Sequence, residues 1–250
     1  MSKKSLGALL LHGFSGMPTG LGELANQIEK LGLPYRAPTL RGHGANTPNA
    51  LLGVRWTDWI ADAEKEMSEL LGETEKVTII GHSMGGMIAL ILAAKYSNKI
   101  DSIIVAGGST KIVSPFGPGR PLSFLAPVVL RLKPKWDLKP VFTDPNYARY
   151  DTGYEWVPTI TFLQLFDLIR ETQRCLPEVI VPTLILHSKK DTSNAPEGAR
   201  ILYETIATPA ENKKLVWFEK TEHVMFLDCE EEEIINTVIE YIQGRIKIGN

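Results

Sequence analysis

The stretch VTIIGHSMGG, residues 77–86, decides the fold of this chain. Its first four residues are apolar or β-branched and predict a buried strand. The residues from Met84 to Tyr96 are rich in alanine, leucine and isoleucine and predict a helix. Between the two lies Gly81-His82-Ser83-Met84-Gly85, which matches the pattern G-x-S-x-G. A strand, a tight turn and a helix in this order indicate that Ser83 is a nucleophile.

The two glycines of this motif have a physical role. A serine at the tip of so tight a turn has strained backbone angles, and side chains at the flanking positions would clash with the neighbouring strand and helix. Gly81 and Gly85 remove those clashes. The turn also brings the Ser83 hydroxyl close to the N-terminus of a helix, whose dipole favours developing negative charge.

The chain on both sides of this motif alternates short apolar runs with amphipathic segments. This alternation is typical of a parallel sheet covered by helices. Together with the motif it predicts an α/β fold of the α/β-hydrolase type, with a mostly parallel central sheet flanked by helices. The predicted strands cover residues 8–11, 34–37, 77–80, 100–106, 182–187 and 214–218, and the predicted helices cover residues 21–31, 56–71, 84–96, 195–206 and 230–241.

The alternation stops between residues 110 and 176, where proline and aromatic residues are frequent. This segment has no strand pattern and predicts an inserted, mainly helical cap. The predicted organisation is therefore a first part of the core at 1–109, a cap at 110–176 and a second part of the core at 177–250. Because substrate pockets are mostly apolar, we expect the apolar and aromatic residues of the cap to contact substrate.

The loop that follows the first predicted strand reads His12-Gly13-Phe14-Ser15-Gly16. In an α/β-hydrolase, a backbone N–H of this loop and the N–H of the residue after the nucleophile bind the oxyanion. The predicted donors are the amides of Phe14 and Met84, whose side chains need not be polar. His12 precedes the nucleophile in the chain, so we expect it to be a structural histidine.

A serine hydroxyl needs a nearby base to become nucleophilic at neutral pH. In α/β-hydrolases the chain order is serine, then the acid, then the histidine. Only His187 and His223 follow Ser83 among the five histidines of the chain, which are His12, His43, His82, His187 and His223. His187 ends a predicted strand shortly before the best candidate for the acid, so the order favours His223 as the base.

The predicted acid is Asp191, in the loop after the strand at 182–187. This loop lies one strand–helix unit before the loop of His223, which is the position that the fold requires. Asp228 is the alternative, but it is close to His223 in sequence. The aspartates of the cap are expected to be solvated, and they are Asp137, Asp144, Asp151 and Asp167.

With these residues placed, the chain resembles the bacterial carboxylesterase and monoacylglycerol lipase branch of the α/β-hydrolase superfamily. The resemblance rests on LHGFSG at 11–16, RGHG at 41–44, GHSMG at 81–85, Asp191 and EHV at 222–224. It implies hydrolysis of carboxylic esters of short to medium acyl chains, including monoacylglycerols, without a cofactor or a metal. The chain departs from the branch in its cap and in starting almost at the first parallel strand, which implies that preceding antiparallel strands are missing.

The composition excludes several other classes. A formal net charge of -2 with 22% charged residues does not indicate binding to nucleic acid or to an anionic membrane surface. No run approaches the ~20 apolar residues of a membrane span, and the N-terminus lacks a signal peptide, so a cytoplasmic location is expected. The two cysteines, Cys175 and Cys229, lack metal-binding spacing and are expected to be free thiols.

The same core residues fit several reactions. A thioesterase, an amidase and a C–C bond hydrolase would all use this nucleophile, base and acid. A non-catalytic binding protein on the same fold would lack one of the three, and a dehalogenase would have aspartate at position 83. The resemblance, rather than the core residues, implies an ester hydrolase acting on a small-molecule substrate, and this is the main prediction.

Overall fold

A parallel sheet of six strands forms the centre of the molecule. The computed structural model describes residues 3–138, 141–150 and 153–249, so Asp151 lies outside the described residues. The strands are β1 (Lys4–Leu11), β2 (Tyr35–Arg36), β3 (Thr74–His82), β4 (Ile100–Ala106), β5 (Lys135–Asp137), β6 (Trp156–Pro158), β7 (Thr183–Ser188) and β8 (Lys213–Phe218). The order in the central sheet is β2-β1-β3-β4-β7-β8, as expected for the α/β fold.

Helices cover both faces of this sheet. They are α1 (Leu24–Lys30), α2 (Trp56–Glu73), α3 (Met84–Lys95), α4 (Ala126–Leu132), α5 (Phe162–Cys175), α6 (Pro196–Thr205) and α7 (Glu231–Gly249). The buried residues of α2, α3 and α6 form one core cluster with one face of the sheet. The buried residues of α1 and α7 form a second cluster with the other face. The helices of the described ranges include none that is long and apolar enough to cross a membrane.

The strands show why both faces are apolar. Along β1, Leu9 and Leu11 belong to the first cluster, whereas Ala8 and Leu10 belong to the second. Side chains of a strand point alternately to opposite faces, so a strand buried on both faces is a continuous apolar run rather than an alternating one. This is the pattern from which the buried strands were predicted.

The cap, defined as residues 110–176, lies between β4 and β7 in sequence. It contains α4, α5 and several short 3-10 helices, as predicted for a mainly helical insertion. It also contains a two-stranded antiparallel ribbon in which Trp136 pairs with Val157, which the sequence analysis did not predict. Each strand of the ribbon has only three residues, too few to show alternation.

All six central strands are parallel, so their carboxyl ends lie along one edge of the sheet. The loops after β1, β3, β7 and β8 carry the residues that the sequence analysis selected. Ligands of open α/β sheets bind at this edge, and the functional site is built here.

Candidate active site

Ser83 is the turn residue between β3 and α3. Its backbone has φ 51° and ψ −112°, a region that residues with a side chain rarely adopt. The Ser83 N–H donates to the carbonyl of Ala106 at 2.8 Å, which ties the turn to the end of β4. Such a conformation costs on the order of 1–3 kcal/mol, and the packed strands on either side hold it in place.

The glycines beside Ser83 are required by close packing. A Cβ on Gly81 would lie 2.2 Å from the carbonyl oxygen of Gly85, and a Cβ on Gly85 would lie 2.1 Å from that of Leu11. Both distances are far inside van der Waals contact. The motif therefore permits a serine at the turn only because its neighbours have no side chains.

His223 and Asp191 complete a chain of hydrogen bonds with Ser83. The Nε2 atom of His223 lies 3.0 Å from the Oγ of Ser83. Its Nδ1 lies 2.8 Å from Oδ2 of Asp191. These three residues, predicted from the loops after β3, β7 and β8, lie together in the structure.

Asp191 is held by more than His223. Its Oδ1 accepts hydrogen bonds from the backbone amides of Ser193 at 2.8 Å and Asn194 at 2.7 Å. Burial alone would raise the pKa of Asp191, but the charge and hydrogen bond of His223 and the Asn194 amide outweigh it, so this pKa is lowered. The carboxylate is therefore ionised and fixed in orientation.

The charge of Asp191 acts in turn on the imidazole. Burial works to lower the pKa of His223, but the negative charge of Asp191 and its hydrogen bond outweigh burial and raise this pKa above its usual value. A histidine in this environment can accept a proton from Ser83 and hold it as a stabilised imidazolium.

Asp228, the alternative acid, lies elsewhere. Its buried carboxylate accepts from the backbone amides of Glu222 at 2.7 Å and Cys229 at 2.8 Å. It also accepts from the amide of Thr143 in the cap at 3.1 Å. Asp228 therefore joins the loop of His223 to a segment of the cap. Asp191 is the carboxylate that binds the imidazole of His223.

The loop after β1 lies beside the nucleophile, where the oxyanion donors were predicted. Met84 is the first residue of α3, so its N–H has no acceptor within the helix. His12 bonds backbone groups on both sides: its Nε2 accepts from the Leu40 amide at 3.0 Å, and its Nδ1 lies 2.8 Å from the carbonyl of Gly13. Burial lowers its pKa to about 3, so His12 is neutral and holds the loop that carries Phe14.

Three further histidines surround the site. His43, in the RGHG loop, packs against the rings of His12, Phe14 and Trp59. His187 is buried, with its Nε2 3.7 Å from Oδ2 of Asp191 and 3.3 Å from the carbonyl of Asn194. The third is His82, the last residue of β3. Burial lowers the pKa of all three.

Tyr154 ties the cap to the loops of the site. Its backbone N–H donates to the carbonyl of Ser15 at 2.9 Å. Its hydroxyl donates to the carbonyl of Gly42 at 2.9 Å and accepts from the amide of Ala45 at 3.0 Å. The hydroxyl of Tyr154 thus joins the RGHG loop to the cap.

The other described aspartates of the cap and the two cysteines lie outside the hydrogen-bonded chain of Ser83, His223 and Asp191. Asp137 and Asp144 are exposed, and Asp167 pairs with Arg170. Both cysteines are free, Cys175 being buried and Cys229 exposed.

A cleft with a volume of about 240 Å³ lies above Ser83 and His223. The cap covers it with Leu138, Val141 and Phe162. Its polar lining includes Ser193 and Asn194, which the sequence analysis did not select. The Asp-Thr-Ser-Asn sequence at 191–194 is a signal that could have found them, because aspartate commonly accepts hydrogen bonds from amides just after it in a turn.

Known proteins share this fold and sequence. The thermostable monoacylglycerol lipase of Bacillus sp. (strain H-257) is 28% identical over 94% of this chain and 90% of its own length. The carboxylesterase of Bacillus subtilis (strain 168) is 24% identical over 94% of this chain and 91% of its own. A structure from work on the metagenome-derived lipolytic enzymes LipS and LipT has a TM-score of 0.87 at 24% identity, covering 97% of this chain and 96% of that one.

These matches confirm the α/β-hydrolase fold, the resemblance to the carboxylesterase and monoacylglycerol lipase branch, and the prediction of an ester hydrolase. The family model Hydrolase_4, described as serine aminopeptidase, S33, matches residues 7–230. The chain therefore belongs to the Hydrolase_4 family of α/β hydrolases.

Proposed function

We propose that this enzyme hydrolyses carboxylic esters of short to medium acyl chains, including monoacylglycerols, through an acyl-enzyme on Ser83. The observation that carries the proposal is the continuous chain from the Ser83 Oγ through His223 to Asp191, with contacts of 3.0 and 2.8 Å. Distances of this size permit direct proton transfer. The relatives named monoacylglycerol lipase and carboxylesterase support the choice of substrate class.

The reaction has two halves. Ser83 Oγ attacks the ester carbonyl while His223 Nε2 takes the hydroxyl proton, and the amides of Phe14 and Met84 bind the resulting oxyanion. The tetrahedral intermediate then collapses, and His223 gives its proton to the departing alcohol. Water repeats the sequence on the acyl-enzyme and releases the carboxylic acid. Asp191 holds the imidazole and stabilises its charged form throughout.

An apolar chamber of about 260 Å³ in the cap adjoins the cleft. Phe162 and Ser193 line both spaces, so the two are neighbours. Phe116, Trp136 and Phe166 contribute aromatic walls to the chamber. Because burial of each methylene contributes about 0.8 kcal/mol, a chamber of this kind favours an acyl chain over a polar group.

The family description names an aminopeptidase, which makes amide cleavage the second candidate. An aminopeptidase must bind the substrate's α-ammonium group, for which a carboxylate is the natural partner. Among the described residues that line the cleft there is no aspartate or glutamate. The lining of the described part therefore favours a neutral ester.

Assays on several bond types test the proposal. A series of p-nitrophenyl esters of increasing chain length, a monoacylglycerol, an acyl thioester and an amino-acid p-nitroanilide should be compared at equal concentration. We expect the esters to have the highest kcat/KM, with an optimum at short to medium chains. A higher kcat/KM on the anilide would instead assign an aminopeptidase.

The nucleophile is tested by labelling. A fluorophosphonate should modify Ser83 stoichiometrically, and Ser83→Ala should lower turnover by roughly 10⁴- to 10⁶-fold while the fold is kept. Labelling at another serine would overturn the assignment.

A further inference from the structure

His82 occupies the position before the nucleophile and has no part in the mechanism given above. Its side chain is buried at the end of β3. Its Nε2 lies 2.8 Å from the backbone carbonyl oxygen of His223. The two imidazole rings lie 5.1 Å apart. One residue of the nucleophile motif thus contacts the main chain of the proposed base, 141 positions later in sequence.

This contact fixes the tautomer of His82. A carbonyl oxygen only accepts hydrogen bonds, so the proton must be on Nε2 and Nδ1 must be bare. Burial, followed by the nearby charge of His223, lowers the pKa of His82 to about 4, so the ring is neutral at neutral pH. A neutral ring donates to the carbonyl without placing a second positive charge beside the imidazolium of His223.

The same ring contacts two further loops of the site. A Cβ on Gly13 would lie 3.0 Å from His82 Nδ1, and a Cβ on Gly107 would lie 3.4 Å from His82 Nε2. The backbone of both glycines therefore packs directly on the imidazole. Gly13 immediately precedes Phe14, whose amide is a proposed oxyanion donor. The ring lies between the loop of the oxyanion donor, the end of β4 and the loop of the base.

We infer that His82 is a positioning residue, which holds the main chain of His223 by a hydrogen bond from Nε2 and so keeps the imidazole of His223 in reach of Ser83. The inference rests on the proposed function. Asp191 orients the ring of His223 from its Nδ1 side, and His82 fixes the backbone from which that ring projects. Loss of the His82 donor would leave the His223 carbonyl unpaired and free this backbone to shift.

Two variants at position 82 test the inference. His82→Leu removes the donor, whereas the amide of glutamine in His82→Gln can reach the position of Nε2. We expect His82→Leu to lower kcat, and the rate of fluorophosphonate labelling of Ser83, by roughly 10- to 100-fold with KM unchanged, because displacement of a catalytic group by about 1 Å costs this much. His82→Gln should restore most of the loss.

Thr78→Val is the matched control. It removes another buried hydrogen bond of the same strand, the 3.0 Å contact between Thr78 and Ser102. We expect it to lower the melting temperature without changing kcat. A purely structural role of His82 would give the same result for His82→Leu as for this control, and that result would overturn the inference.

A measurement on the wild-type enzyme keeps the inference testable if His82→Leu does not fold. The ¹⁵N spectrum of labelled imidazoles at neutral pH should show His82 with a protonated Nε2 and a bare Nδ1. A protonated Nδ1 would overturn the inference. Failure of the proposed function is distinct, because in that case the wild-type enzyme itself would not be labelled at Ser83.

Discussion

Replacement of Asp191 by asparagine tests the assignment of this residue as the acid that orients His223. The carboxylate is 1% exposed and accepts from two backbone amides and from Nδ1 of His223. The amide oxygen of asparagine can still accept from Ser193 and Asn194. Its NH₂ group would then face Nδ1 of His223 as a donor. Nδ1 would have to become the acceptor, which moves the proton to Nε2, where it blocks acceptance of the Ser83 proton.

The size of the effect follows from this change of tautomer. We expect Asp191→Asn to lower kcat by roughly 10²- to 10⁴-fold. At about 1.4 kcal/mol for each factor of ten, this is a loss of about 3 to 6 kcal/mol of transition-state stabilisation. The melting temperature should change little, since the backbone amides keep their acceptor.

Asp228→Asn is the control. The Asp228 carboxylate accepts hydrogen bonds from the amides of Glu222, Cys229 and Thr143. The variant should therefore lose about 1–3 kcal/mol of unfolding free energy and keep most of its turnover. The assay is kcat at saturating ester, with circular dichroism to establish that each variant is folded. An inactive Asp228→Asn beside an active Asp191→Asn would refute the reasoning about the acid.

Three other predictions concern pH, substrate and metals. The kcat/KM of the wild-type enzyme should fall on acidification as His223 becomes protonated. The midpoint should lie above pH 6.5, because the charge of Asp191 raises the pKa of His223. A midpoint below pH 6.5 would contradict the pairing of the two residues. Phe116→Trp should narrow the apolar chamber and shift the ester optimum to shorter acyl chains. The control Phe124→Trp, at a position that is 73% exposed, should leave the chain-length profile unchanged. Identical chain-length profiles for the two variants would refute the role of the chamber. Activity should survive EDTA, since no cluster of three or more metal-binding side chains exists in the described ranges; inactivation reversed by zinc would argue otherwise.

The parts of the site that could be predicted are those with local causes. The elbow at Ser83 follows from a strand, two glycines and an apolar helix that are contiguous in sequence. The choice of His223 and Asp191 used the order of elements along the chain, which the parallel sheet converts into proximity. The predicted strand at 100–106 matches β4, because a strand that is buried on both faces is a continuous apolar run that can be recognised locally.

The remaining features depend on contacts between distant segments. Nothing near His82 in sequence indicates that its ring meets the carbonyl of His223. The ribbon of β5 and β6 pairs two three-residue segments about 20 positions apart, which leaves no periodicity to detect. Helix α7 extends to Gly249, beyond the predicted end at 241, and Arg245 in this extension donates two hydrogen bonds to Asp101 of β4, a contact between segments distant in sequence.

The bonds of Thr143 and Tyr154 limit how the cap can be exchanged. Both residues lie inside the insertion, yet the Thr143 hydroxyl donates to Asp228 beside the loop of His223 and the Tyr154 hydroxyl donates to the carbonyl of Gly42 in the RGHG loop. A cap transplanted as one block from a related enzyme without these two side chains would remove both bonds and weaken the attachment of the cap to the loops of the site. Hybrids that retain these two side chains and vary only the apolar lining separate chain-length specificity from the integrity of the core, and they define where recombination within this scaffold is tolerated.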